Sequence, residues 1–520
     1  MNVNLSILDL SVIGVYIVVL LFIGLFVGMN EKITSSKDLF LGGGKLKWPA
    51  IGFSIFSTNV SPMMVVGTAG LAYSKGMVAA NFEWLAWIFL MLMAMVFAPH
   101  YLNNKISTMP EFLKVRYGKN AYHFLSYYLL FSILFLWLGG ALYVGGKIIA
   151  EIFDIHLAWS VIVIALLATS FTAIGGLKAI VRTDIFQSII IIVGSIILIY
   201  MGIEKIGGFE KLYEQVPQDH WKLFLKNDDN YPWYTIVLGY PVVAIFYFCT
   251  DQMIVQKTLA AKNIEEGQKG AVFTSFLKML MPLLFIPGLL CVVLFPDIEA
   301  DNAYVTMVTN LLPSGLVGLI VAAMLAALIN TVAAGFNSFS TIFTLEIYKK
   351  GKPEITPMQE KKVGQYVTLL CSVLAVGVAI TFSYLGKEVF EITQGLMGFF
   401  APPLSAVFLL GVLWKRATPR AGEITLIGGG ILCLMVCICF YLKIPEGFEW
   451  PSFMLLSFYL FVILCAVLVV SSYLTTPAPE KALPSLKESY ANMGYSSSKK
   501  IWMLWLGICA MMTCLYIYFN

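Results

Sequence analysis

The chain is written in long apolar runs separated by short polar ones, and strict apolar–polar alternation of the kind a barrel strand shows is absent. Runs of about 20 apolar residues, the length that carries a helix across bilayer hydrocarbon, recur about fourteen times. In hydrocarbon every backbone N–H and C=O must be paired within its own segment, so runs of this length can only be helices. The pattern predicts an all-α integral membrane protein.

Two runs break their own pattern. Between 48 and 73 the stretch "SIFSTNVSPMM" puts Ser54, Ser57, Thr58, Asn59 and Ser61 ahead of Pro62. The seventh run, "YTIVLGYPVVAIFYFCTDQ", is interrupted at Gly239 and Pro241 and closed by Asp251 and Gln252, which helix capping explains as well as transport does. Interrupted spans placed five apart predict an inverted repeat of five plus five helices, with the ligand where the breaks meet. Unwound backbone at that depth is tolerated only where it lines a cavity, and its freed carbonyls can coordinate a cation.

Composition agrees. The 520 residues are 59% hydrophobic and 12% charged, with a mean hydropathy of +0.83, more apolar surface than a soluble fold can hide. Lys and Arg gather in alternate loops in severalfold excess, which places both termini outside. The short external loops favour a bacterial inner membrane. The first run lacks a small-residue cleavage site and is followed by Glu31, Lys32 and Lys37, so it reads as a retained anchor. The formal charge of +4 follows from the basic loops and indicates no nucleic-acid partner; no obligate protein partner is evident, and lipid surrounds the chain. The nine cysteines lack metal-ligand spacing and read as packing residues. Of the two longest hydrophilic pieces, 204–231 reads as a cap over an external vestibule and 474–499 as a cytoplasmic linker before a peripheral last helix. No hydrolytic triad, phosphate loop or catalytic metal cluster is evident, so the chain does not read as an enzyme.

Ionisable side chains at the centre of a span cost about 2.5–3.5 kcal/mol each and therefore mark sites. Lys278, central in "AVFTSFLKMLMPLLFIPGLL", reads as a site residue ahead of a structural ion pair. Glu83 in "NFEWLAW" is balanced between the two. Together a lysine and a carboxylate can serve the hydroxyls of a neutral polyol. Gln394 in "EITQGLMGFFAPP" offers a donor and an acceptor; Asp184 reads equally as a helix N-cap. Lys147, Glu346 and Glu391 lie within snorkelling reach of an interface. The ninth run, "AAMLAALINTVAAGFNSFSTIFTLEIY", combines close-packing small residues with the oxygens of Asn330 and Thr331, hard donors that suit sodium.

The segments "NFEW", "TMPEFLKVRYG", "GGLKAIVRTDIFQ", "CTDQMIVQKTLAAKN", "FLKMLMP", "FNSFSTIFTLEIY" and "APPLSAVFLLGVLWKR", in this order from about residue 38 to 416, resemble the sodium/solute symporter family and its sodium/glucose (galactose) cotransporter branch. The resemblance implies a LeuT-type ten-helix core at 48–413 (first repeat 48–204, second 232–413), an extra helix and loop at 1–47, and peripheral helices at 414–520. It implies Na+ held by Ser57 and Val60 at the first break and by Ala327, Asn330 and Thr331 opposite, Asn330 standing where the family usually has serine. Asp184 matches the carboxylate on the sodium exit path. Ala333 and Ala334 replace the hydroxyls of a second sodium site, so one Na+ per cycle is implied. Solute contacts carry over to Asn59, Met64, Glu83, Lys278 and Gln394, with Tyr247 closing beneath the solute. Met64, Ala86 and Ala244 stand where sugar-transporting relatives often have polar groups. The function implied is sodium-coupled import of a glucose- or galactose-like monosaccharide by alternating access. Inositol, sialic acid, proline or a carboxylate are the rival substrates, and a symporter-derived solute sensor is the rival class.

Overall fold

The structure is a computed structural model that describes residues 5–30, 34–226, 231–352, 354–384, 389–476 and 495–519. Twelve of its helical stretches are long and apolar enough to cross a membrane. Two of them, Met64–Asn103 and Leu157–Ile206, run to 40 and 50 residues. At 1.5 Å per residue each is about twice the thickness of bilayer hydrocarbon. A glycine divides each: Gly76 (φ 77°, ψ −147°) and Gly176 (φ 55°, ψ −149°), backbone angles that side chains with a Cβ resist. Counting two crossings in each accounts for the fourteen runs of the sequence.

The helices that position the site are α1 (Ile7–Asn30), α2 (Trp48–Asn59), α3 (Pro62–Lys75), α4 (Met109–Tyr117), α5 (Leu157–Ile206), α6 (Trp233–Ile245), α7 (Gln252–Leu259), α8 (Ile264–Lys278), α9 (Leu316–Ile342), α10 (Val389–Leu413) and α11 (Tyr495–Tyr518). Helix α9 is the axis of the bundle: almost every side chain from Val317 to Ile342 is buried. Its small residues let α5, α1 and α2 approach closely.

The two loop sets separate to opposite ends. At one end Asp9 accepts hydrogen bonds from the N–H groups of Gly315 (2.7 Å) and Gly318 (2.8 Å), capping α9. At that end too Asn81 Nδ2 donates to Leu223 O (2.6 Å), and Leu223 N donates to Phe519 O (3.2 Å). At the other end Thr108 donates to Glu346 (2.6 Å), the N–H of Met109 to Gln252 (2.9 Å), and Arg116 of α4 to the carbonyls of Gly411 (2.8 Å) and Trp414 (3.0 Å). Glu346 therefore does not snorkel; it is buried and ties α4 to the end of the ninth run. Lys147 is half-exposed beside Glu151 (3.8 Å), and the Glu391 side chain lies outside the described residues. The cysteines are all free, five of them buried.

Residues 209–226 pack over the Asn81 end, where the last turns of α11 meet them. Tyr516 donates to Asn81 Oδ1 (2.8 Å), and Trp84 meets the rings of Tyr516 and Phe519. The linker 474–499 lies mostly outside the described residues.

Gly176 tests the division of α5. A Cβ there would stand 2.1 Å from the carbonyl oxygen of Leu39 and would also strain the backbone. Gly176→Ala is expected to destabilise the protein by about 3 kcal/mol or more, read as a large drop in melting temperature of the detergent-solubilised chain; an unchanged midpoint would contradict the kink.

A broken helix that joins two buried polar clusters

Pro62 explains the first break. It has no N–H to offer the carbonyl of Thr58, and the N–H of Ser61 turns to Asn59 O (3.0 Å) instead of reaching back a full turn to Ser57. Val60 (ψ 79°) and Ser61 (ψ 162°) are non-helical. Ser61 then caps α3, its carbonyl and hydroxyl both accepting from Met64 N (2.9 and 3.3 Å). The donors that would close the turn on Ser57, Thr58 and Val60 are thus withdrawn or missing, and those carbonyls are released at the break.

The second break lies elsewhere than the sequence indicated. Helix α6 runs through Gly239 and Pro241, continues as a π-helical turn over Phe246–Thr250, and breaks at Asp251 (φ −70°, ψ 128°). Gly239 serves packing, since a Cβ there would meet Met454 O at 2.4 Å. Asp251 caps α7, accepting from Met253 N at 2.8 Å.

Two polar clusters hang from the first break. In one, the Lys278 ammonium donates to Asn59 Oδ1 and to Glu83, and Asn59 Nδ2 donates to Glu83 Oε1 (3.4 Å). Lys278 and Glu83 are 1% and 2% exposed. Three elements far apart in sequence therefore meet at one charge-balanced point. Phe248 lies beneath it, its ring centre 5.7 Å from Lys278 Nζ, and Tyr247 follows in a chain of rings with Phe248 (4.9 Å) and Trp137 (5.5 Å). Met64 is half-buried in the first turn of α3, and Ala86 and Ala244 are buried. The side chain of Gln394, on α10, lies outside the described residues.

The other cluster centres on Asp184. This residue is no N-cap: it lies inside α5, eight residues beyond the Gly176 kink, and is fully buried. It accepts from Ser54 Oγ and from Asn330 Nδ2 (2.8 Å), and Lys257 Nζ stands 3.7 Å away. Asn330 also donates to Gln187, while its carbonyl oxygen accepts from Thr183 (3.2 Å), so this side chain is turned toward Asp184 and α5. Ser57 Oγ, buried beside the carboxylate, makes no hydrogen bond of good geometry among the described residues. Thr331 donates to Ala327 O (3.0 Å), which leaves the hydroxyl lone pairs to face away from its own helix. Ala333 and Ala334 are buried and offer no side-chain oxygen.

Lys257, Phe248 and Trp137 escaped the sequence reading. Lys257 lies in the short helix just beyond the break at Asp251, a placement the sequence does not mark, and the two aromatic residues carry no signal distinguishing them from core.

The profile of the sodium:solute symporter family matches residues 39–429. The sodium/glucose cotransporter of Vibrio parahaemolyticus is 32% identical over 455 residues, covering 81% of this chain and 83% of that one. The sodium/myo-inositol cotransporter 2 of Bos taurus is 30% identical over 466 residues, covering 82% and 69%. The fold is similar to that of a Na+-coupled sialic acid symporter solved in a substrate-bound outward-open state, with a TM-score of 0.80 at 21% identity over 92% of this chain and 99% of that one. With two broken helices meeting in a LeuT-type core, and with the family profile spanning most of its length, the chain belongs to the sodium:solute symporter family, as a membrane-embedded transporter that couples solute movement to Na+.

Proposed function

We propose that the chain imports a small, neutral, polyhydroxylated ring, foremost a glucose- or galactose-like monosaccharide and next a cyclitol such as inositol, with one Na+ per cycle. The observation that carries the reading is that Ser57 and Asn59 share one turn of α2. Ser57 faces the Asp184 cluster, and Asn59 holds Lys278 and Glu83. Any ion that orders this turn also orders the solute contacts.

Neutrality of the solute is supported by the Lys278–Glu83 pair. A charge-balanced donor and acceptor suits hydroxyls, whereas an anionic solute such as a carboxylate needs an unmatched cation. The sodium/glucose and sodium/myo-inositol relatives point the same way. One sodium is supported by Ala333 and Ala334, buried on α9, which offer no side-chain oxygen to a second ion.

In this reading Na+ is bound by the carbonyls at Ser57–Val60, the Ala327 carbonyl and the Thr331 hydroxyl, with Asn330 steering Asp184 beside it and Gln394 completing the solute site from α10. Sodium favours the outward-facing form, solute binding permits closure over Tyr247, and sodium leaves past Asp184. Both termini lie outside, and 48–413 forms the transport core. About 2.3 kcal/mol per charge at 100 mV plus about 1.4 kcal/mol for a tenfold sodium gradient supports solute accumulation of several hundredfold at one-to-one coupling.

Labelled sugars, cyclitols and carboxylates presented to proteoliposomes with and without a sodium gradient test the substrate class; uptake confined to carboxylates would overturn it. Thr331→Ala is expected to raise the half-saturating sodium concentration about tenfold, one lost oxygen being worth about 1–2 kcal/mol. An unchanged sodium dependence would remove Thr331 from the ion site.

A further inference from the structure

Lys257 is an ammonium buried in the core, 1% exposed, for which neither the sodium ligands nor the solute contacts account. It belongs to α7, beyond the second break, yet its Nζ donates to Thr58 Oγ1 in the last turn before the first. It also stands 3.7 Å from Asp184 Oδ2. Thr58 donates in turn to Ser54 O (2.9 Å), and Ser54 Oγ donates to Asp184. A plain structural ion pair would need only Asp184. The bond to Thr58 draws the cation into the turn that also presents the Ser57 hydroxyl beside that carboxylate, so one side chain joins both broken helices at Asp184.

We propose that Lys257 is a tethered cation that shares Asp184 with the transported sodium, weakening sodium binding enough to permit release and tying the position of α7 to the state of the first break. This rests on the reading that sodium binds at Ser57–Val60 and Thr331. Two positive charges beside one carboxylate repel in a medium that screens poorly. Sodium entry therefore loosens Lys257 from Thr58 and Asp184, and its return favours sodium departure. Without the ammonium, sodium faces an uncompensated carboxylate and is held too tightly to leave at the normal rate.

The test uses the full chain in lipid nanodiscs for equilibrium radiosodium binding, and in proteoliposomes for flux. Lys257→Met is expected to lower the half-saturating sodium concentration about tenfold or more. Net uptake slows, while solute exchange between two sodium-loaded sides persists. Lys257→Arg, which keeps the charge, is expected to bind sodium nearly as the parent does. Unchanged or weakened sodium binding by folded Lys257→Met overturns the proposal. Should that variant not fold, Asp184→Asn/Lys257→Met is compared with Asp184→Asn: tighter sodium binding by the double variant supports the proposal and equal affinity overturns it. Thr331→Ala separates the two readings. If it leaves sodium binding unaltered, the ion site itself is wrong; if it weakens binding while loss of Lys257 strengthens nothing, only the role of Lys257 fails.

Discussion

Lys278→Met is expected to abolish solute uptake, by a hundredfold or more, and to destabilise the protein by about 3–5 kcal/mol, because Glu83 is left as a buried carboxylate without its cation. The stability loss alone says nothing about transport, since breaking any buried pair on one side has this cost. The informative comparison is Glu83→Gln/Lys278→Met. Removing both charges is expected to restore the melting temperature to near that of the parent, as neutral replacements of buried pairs often do. Uptake is expected to stay absent, because Asn59 then has no charged partner to share with solute hydroxyls. Sodium binding, measured in the same preparation, is expected to remain within a few-fold of normal. A double variant that still accumulates solute would reduce the pair to scaffolding.

The second large effect is expected at Asp184. Asp184→Asn removes the carboxylate on which Ser54, Asn330 and Lys257 converge. Two consequences follow: the ion loses its nearest counter-charge, and Lys257 loses the carboxylate that stands 3.7 Å from its ammonium. The half-saturating sodium concentration is expected to rise about a hundredfold, with solute binding at saturating sodium largely kept because the Lys278 cluster does not include Asp184. A radiosodium isotherm that overlays the parent's would remove Asp184 from the ion pathway. Opposite displacements of sodium affinity by Asp184→Asn and Lys257→Met are the signature of two cations contending for one carboxylate; a structural pair would show a shared loss of stability and no such opposition.

The first break was legible because it is covalent in origin. Pro62 lacks a donor wherever the chain goes, and hydroxyl and amide side chains on the preceding turn have no use in lipid unless they meet something polar. The second was misplaced because proline and glycine are ambiguous inside a membrane helix. Pro241 is accommodated within α6 with a π-helical turn just beyond it, and Gly239 answers to the backbone of Met454, a contact invisible along the chain. Asp184 shows the same limit from another side. Its neighbours in sequence make an N-cap as reasonable as a site, and only the packing of α5 against α2, α7 and α9 surrounds it with Ser54, Lys257 and Asn330.

The sequence by itself determined that this is a bundle of membrane helices with an interrupted first core helix, and that Lys278 sits too deep to be ordinary. Those conclusions depend only on the cost of exposing charge and unpaired backbone to hydrocarbon, which acts locally on each segment. Tertiary structure alone decided which buried charges pair, that Asn59 bridges Lys278 and Glu83, and that Lys257 reaches across from the second broken helix to Thr58 and Asp184. Pairing over nearly 200 residues is set by how whole helices pack, and no local preference of the chain encodes it.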